Sequence, residues 1–202
     1  MSVSWYALSR SVVAAMLVCA AVALAPDARA ASSQRCARAH GRTLVANAVT
    51  RVYRQPGRGT QICAVPGGRS LGLGDQDTFP DLASVVHVAV AGKYAAYALY
   101  VTNRLGVANS VRVIDAQRRR VVRTLPPDSI DAAEVDSLVV TPTAALAWIV
   151  ARRDGVKNVW TAAPSLAPKL IATSGGIDAA SLALGFGRIF WMQDGAPQTA
   201  PI

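Results

Sequence analysis

The sequence predicts an all-β domain assembled from repeated groups of short strands. From Ala31 onward, apolar runs of about five to eight residues, alternating or continuous, are separated by clusters of Gly, Pro, Asn and Asp. That is the spacing of strands and tight turns, and no stretch there holds a capped helical period. The chain is also self-similar: "SLVVTPTAALAWIV" begins at Ser137 and "SLALGFGRIFWM" at Ser181, 44 residues later. Each reads strand, tight turn, strand, with Trp148 and Trp191 in the second strand, and "VHVAVAGKYAAYALYV" puts Tyr97 in the same place. A period in the mid-forties that holds four strands is that of a propeller blade, whereas a sandwich has no reason to repeat at that interval. The expected fold class is a β-propeller-like array of about four four-stranded blades, the first and last incomplete.

An export signal is expected ahead of this array. Arg10 is followed by the apolar run "SVVAAMLVCAAVALA" and by "PDARA", which supplies an A-x-A exit at Ala28, Arg29 and Ala30. This is the pattern of a secretory signal peptide over residues 1–30. The run is shorter than the roughly 18–20 residues of a membrane helix, which disfavours a retained anchor. Val18 before Cys19 disfavours a lipoprotein. Residues 31–202 then form one domain carrying a net charge of +8, with Arg far outnumbering Lys. A basic exported chain has anionic cell-wall polymers or acidic lipid surfaces as neighbours and does not meet nucleic acid. Outside the signal only Cys36 and Cys63 remain, an even pair in an oxidising compartment. One bridge is available, worth roughly 3.5 kcal/mol by loop closure; two reduced, buried thiols are the alternative.

The units follow in order. The first, from about Arg42 to Gly74, includes "ICAVPGGRSLGL" and lacks an evident innermost strand. The second spans about Ser84–Pro126 and the third, with "VWTAAPSLAPKLIAT", about Asp136–Ser174. The fourth starts near Asp178 and ends at Ile202, one strand short. Incomplete end units invite a closure in which the two ends share a blade. They equally permit completion by a second copy, because exposed sheet edges have to be covered.

In the second unit "YVTN" ends a strand, "RLGVA" is an exposed turn, "NSVRVID" is the third strand, "AQRRR" turns and "VVRTLP" is the outer strand. This resembles the YVTN-type β-propeller repeat, in which a Tyr-Val-Thr-Asn segment precedes a Val-x-Val-Ile-Asp strand and a Val-Val-x-Thr strand. Tyr100, Val101, Thr102, Asn103, Val111, Val113, Ile114, Asp115, Val121, Val122 and Thr124 carry the likeness. It covers one blade, about residues 84–126, while "WIVARRDGVKNVWTAAP" lacks both the Asn and the Ile-Asp. Proteins with this repeat include bacterial surface-layer and exported proteins and lactonase-like enzymes. The resemblance therefore implies fold and location, without transferring an active site.

Candidate chemistry is sparse. Gly68-Arg69-Ser70-Leu71-Gly72 matches G-x-S-x-G, with Asp75, Asp77, Asp81 and His87 following. A nucleophile elbow needs a helix after the turn, and "LGDQDTFPD" is none. The links from an outer strand to the next inner one gather carboxylates: Asp75, Asp77 and Asp81, then Asp128, Asp131, Glu134 and Asp136, then Asp178. Such a cluster could supply some of the oxygens that Ca²⁺ takes, so Asp75, Asp77, Asp81, Asp128, Asp131 and Asp136 are the weak metal candidates; no other cofactor is implied. The turns between second and third strands emerge beside these links and carry Arg54, Arg58, Arg104, Arg152, Arg153 and Lys157. These are the expected partner-binding loops. Arg118, Arg119 and Arg120 lie in a hairpin turn on the opposite face, an anion-binding or ordinary exposed turn. His87 is expected to be packed in an inner strand, and Trp148, Trp160 and Trp191 to pack between blades. No paired-carboxylate arrangement of a glycosidase, phosphate loop or Cys/His metal spacing occurs. The expected function is a non-catalytic binding or scaffold module at the bacterial envelope, contacting protein or an anionic polysaccharide. A metal-assisted hydrolase or lactonase-like enzyme and a homo-oligomer of partial propellers are the alternatives.

Overall fold

The computed structural model describes residues 36, 41–65, 68–74, 76–78, 81–103, 106–126 and 134–202, and for 76–78, 81, 103, 106 and 107 the backbone alone. The segment expected to be a signal peptide lies outside the described residues, as do Asp75, Arg104, Asp128 and Asp131. The rest is all-β, with four antiparallel sheets. The first contains β1 (Arg42–Ala46), β2 (Thr50–Gln55), β3 (Gly59–Ala64) and β4 (Ser70–Gly72) in sequence order. The second runs through β5 (Gln76–Thr78), β6 (Asp81–Ala91), β7 (Tyr94–Asn103), β8 (Gly106–Asp115) and β9 (Arg120–Leu125). The third holds β10 (Glu134–Val140), β11 (Leu146–Ala151), β12 (Lys157–Ala162) and β13 (Lys169–Ser174). The fourth holds β14 (Ile177–Gly185), β15 (Arg188–Gln193) and β16 (Ala196–Pro201).

Three boundaries differ from expectation. The first unit is complete, since β1 pairs with β2; its "RTLVA" is mostly exposed, so it lacks the apolar alternation by which a strand is read. The second unit gains the three-residue β5, paired with the start of β6. Strand β8 begins at Gly106, which shortens the turn after "YVTN". The fourth sheet, as expected, is one strand short.

Sheet packing follows from alternation. Successive side chains on a strand face opposite sides, so a strand buried on both faces serves two interfaces. On β7, Ala95, Tyr97 and Leu99 pack with Val52 and Ile62 of the first sheet and with Leu73 just after it. Ala96 and Ala98 face the other way and join Val111, Val135, Leu146, Trp148 and Val150 in the core between the second and third sheets. On β11, Ala147 and Ile149 face on toward Val159, Ile177, Ile189 and Trp191, the core between third and fourth. The sheets thus stack in chain order. On β7, β11 and β15 the large aromatic points back toward the preceding sheet, as Tyr97, Trp148 and Trp191 do.

Tyr53 holds the corresponding place in β2, where the described residues include no preceding sheet. There a small cluster of Cys36, Tyr53 and Cys63 covers the outer face, and the expected Cys36–Cys63 disulfide is formed with Cα atoms 6.1 Å apart. Arg51 reinforces this cap: its Nη1 donates to the Cys36 carbonyl at 2.7 Å, and its guanidinium lies 4.9 Å from the Tyr53 ring centre.

The outer strands carry devices that blunt a sheet edge. Strand β4 is three residues long, β9 carries Arg120 and Arg123, and β13 carries Lys169. On β16 the protection is chemical. Ile202 N–H donates to the Gly187 carbonyl, and the ladder pairs Ala200 with Ile189 and Gln198 with Trp191. Pro197, Thr199 and Pro201 therefore turn their backbone nitrogens to the free edge, and at two of these three positions there is no N–H to offer.

Candidate functional site

Each sheet is an antiparallel meander, so its connections alternate between two ends of the stack. The links between sheets and the β2–β3, β7–β8, β11–β12 and β15–β16 turns emerge at one end, here the link end. The β1–β2, β6–β7, β10–β11 and β14–β15 turns emerge at the other, the hairpin end, with the β3–β4, β8–β9 and β12–β13 turns.

The link end holds most of the residues expected to matter. Glu134 and Asp178 are exposed and Asp136 is half-buried, while Asp77 and Asp81 are placed by backbone only, on β5 and β6. Among the described residues no group of three or more His, Cys, Asp or Glu side chains could hold a metal ion. The cations divide by task. Arg152 Nη2 pairs with Asp154 at 2.9 Å inside its own turn. Lys157 Nζ donates to the Ile177 carbonyl at 2.9 Å, tying the third sheet to the fourth. Arg54 belongs to β2 rather than to the turn, and reaches the Val85 carbonyl of β6 at 3.4 Å. Arg58 and Arg153 are exposed. The result is a surface of interspersed opposite charges, with exposed cations and carboxylates on neighbouring connections.

Tyr100 had no role in the sequence reading beyond its motif. Its hydroxyl accepts the Val135 N–H at 2.7 Å, joining the end of β7 to the start of β10. Burial, against the pull of that hydrogen bond and with help from the nearby Glu134 and Asp136 charges, pushes the phenol up to about 12. The signal that could have found it was the coupling of a strand-terminal Tyr to the next sheet's first strand, which one unit alone does not display.

One expectation fails. His87 is not packed: it is exposed with φ 47°, at the bulge where the β6–β7 ladder shifts between Val86 and Ala89. A bulge re-aims its side chain, and this one turns it out of the core. Ser70 opens β4 at the hairpin end while Asp81 opens β6 at the link end, so the G-x-S-x-G segment and its following aspartate are held at opposite ends.

At the hairpin end the buried Asp115 is the single acidic residue among the described residues. Lys93 Nζ meets its carboxylate at 3.1 Å and the Arg118 N–H donates to it at 2.9 Å. Burial raises the Asp115 pKa, but the Arg118 and Lys93 contacts outweigh it and hold the carboxyl below its ordinary value. Trp148 and Trp160 stack at 6.3 Å between the second and third sheets.

No protein-family model matches this chain, and no curated protein is similar to it in sequence. The Cys36–Cys63 bridge fits an extracytoplasmic environment. Among the described residues no helix is long and apolar enough to cross a membrane.

Proposed function

We propose that this chain is an exported, non-catalytic binding or scaffold module of the bacterial envelope, an open propeller-like array of YVTN-type blades that contacts protein or polysaccharide through its link end. The blade reading rests on the recurrence of an antiparallel meander of three to five strands and on the back-pointing aromatics of β7, β11 and β15. The observation that carries the functional reading is the division of labour at the link end. Lys157 and Tyr100 lock neighbouring sheets together there, so Arg58, Arg153, Glu134 and Asp178 are presented from a rigid base. Preorganised, interspersed charge suits recognition of a polar partner more than it suits a buried reaction centre. Completion by strand pairing with a second copy at β16 is disfavoured by Pro197 and Pro201, which remove ladder donors from that edge.

The test is binding of the full chain to purified peptidoglycan and wall polysaccharide, measured by co-sedimentation. The double substitution Arg58→Glu and Arg153→Glu is expected to weaken binding at least tenfold, because like charge facing an acidic polymer costs several kcal/mol. Equal binding by parent and variant would remove the link end as the contact surface.

A further inference from the structure

The hairpin end differs from the link end in sign. Arg69, Arg118, Arg119, Arg120, Lys169 and Arg188 are all exposed there, and the one acid there among the described residues, Asp115, is buried and already neutralised by Lys93. The described acidic residues Glu134, Asp136, Asp154, Asp178 and Asp194 are all at the far end of the stack. Charge of one sign collected on one face is an electrostatic footprint for an anionic surface.

The same face presents apolar side chains at its tips. Phe186 is 102% exposed and Leu166 64% exposed. Phe186 occupies the first of the two central positions of the β14–β15 turn, with φ 50°, and Gly187 follows with φ 70°. A turn with both central residues at positive φ favours Asn or Asp followed by Gly, which is what the β15–β16 turn uses at Asp194–Gly195. A phenyl ring at this place satisfies neither the turn nor the core.

These features are continuous. Asn47 and Thr50 both donate side-chain hydrogen bonds to the Gly92 carbonyl, at 3.0 and 2.9 Å, joining the first two hairpin turns. Ala116 N–H bonds the Lys93 carbonyl at 2.9 Å, bringing in the turn with Arg118 and Arg119. Arg123 donates to the carbonyls of Ala163 and Leu166, at 2.5 and 2.6 Å, fixing the turn that holds Leu166. An open groove of about 450 Å³, lined by Leu166, Lys169, Leu170, Pro201 and Ile202, connects that turn to the end of β16. Ile202 in turn bonds Gly187, beside Phe186.

We propose that the hairpin end, with its exposed cations and with Phe186 and Leu166 at its turn tips, docks the protein onto an anionic lipid leaflet. Two properties favour a leaflet over an anionic polymer. A polymer neutralises the cations but offers no apolar phase to Phe186 and Leu166. A leaflet offers both, with phosphates at the level of the arginines and acyl chains beneath them.

The full chain is measured against vesicles of phosphatidylcholine with and without phosphatidylglycerol, and against soluble dextran sulfate. Each basic side chain near an anionic leaflet contributes about fivefold to partitioning. Replacing Arg118 and Arg120 by Gln is therefore expected to lower binding to the anionic vesicles by about 25-fold, taking the two as independent. Phe186→Asn, which suits the turn and so keeps the fold, is expected to weaken vesicle binding and leave dextran sulfate binding unchanged. Phe186→Trp places a probe at the tip, and bilayers of brominated lipid are expected to quench its fluorescence beyond the quenching of the parent chain. That readout is specific to this turn whatever the N-terminal segment does. Absence of excess quenching, or vesicle binding indifferent to phosphatidylglycerol, would overturn the proposal. Loss of polymer binding in parallel with vesicle binding in Phe186→Asn would overturn it in favour of a polymer. The link-end double variant is expected to bind vesicles like the parent, so this proposal and the proposed function fail separately.

Discussion

Opening the Cys36–Cys63 bridge is expected to cost this fold a large share of its stability. The bridge joins residues 27 apart in sequence, and the chain-entropy relation for a loop of that length gives about 3.5 kcal/mol at 25 °C. A second loss accompanies it. Cys36 and Cys63 are buried with Tyr53 in the cluster that covers the outer face of the first sheet, and an untethered Cys36 segment exposes that ring. Against a total stability of about 5–15 kcal/mol for a domain, the loss is serious without being fatal. At about 2–4 °C per kcal/mol for a domain of this size, the melting midpoint should fall by roughly 10 °C. The assay is far-ultraviolet circular dichroism on the full chain with and without reductant, beside the double variant Cys36→Ala and Cys63→Ala. Parent under reductant and double variant under either condition should melt together, well below the oxidised parent. A midpoint unchanged by reductant would show that the cap contributes nothing to the fold, and would refute both the loop-closure estimate and the end-cap role of the cluster.

Trp148 is fully buried between the second and third sheets, so Trp148→Ala should cost about 3–5 kcal/mol; urea titration checks this, and a loss below about 1 kcal/mol would contradict the packing described. Asp115 has a depressed pKa, so its contribution is present above the ordinary carboxylate pKa and is lost as pH falls below it. Asp115→Asn should therefore destabilise by about 1–3 kcal/mol at neutral pH, and the gap between variant and parent should close as pH falls from the ordinary carboxylate range through the depressed pKa of Asp115, as read by denaturant midpoints across pH. Relief of the positive-φ cost at Phe186 should make Phe186→Asn more stable by about 0.5–1 kcal/mol. Calorimetry tests that value, and a lower melting midpoint would mean that the ring packs against something in the free protein.

Much of the fold is legible in the sequence because the repeat carries it. Tyr97, Trp148 and Trp191 occupy one position of successive units, and the structure gives all three one direction. What escapes sequence reading is whatever departs from alternation. Strand β1 is nearly all exposed and shows no period of two. Strand β5 is three polar residues, Gln76, Asp77 and Thr78, recognisable as a strand only by its pairing with β6. His87 falls in an apolar run, "VVHVAV", but the bulge there breaks the parity that would have buried it. The candidate site is less legible for a related reason. Parity of the turns predicts which end a charge falls on, and it places Arg118–Arg120 opposite the carboxylate links. It does not say that Lys157 and Arg54 reach across to neighbouring sheets, which depends on side-chain length and on how the sheets are offset.

The segregation of charge has a physical consequence that no single loop displays. In a meander of antiparallel strands, every second connection belongs to the same end, so a sequence can write two independent surfaces in alternate turns without disturbing the core between them. Here the β11–β12 turn carries the Arg152–Asp154 pair, whereas the β14–β15 turn offers Phe186 and then Arg188. Alternating connections along the chain thus differ in kind: mixed charge at one end, cations with apolar tips at the other. Random surface drift would mix the two ends. The described acidic residues other than Asp115 all stand at the link end, and the exception is buried against Lys93. A molecule built this way is biased in orientation at an anionic boundary even before it forms a specific contact, because its two ends differ in charge. Seated by the hairpin end on an anionic leaflet, it would hold the mixed-charge link end outward, where a wall polymer or another protein can reach it.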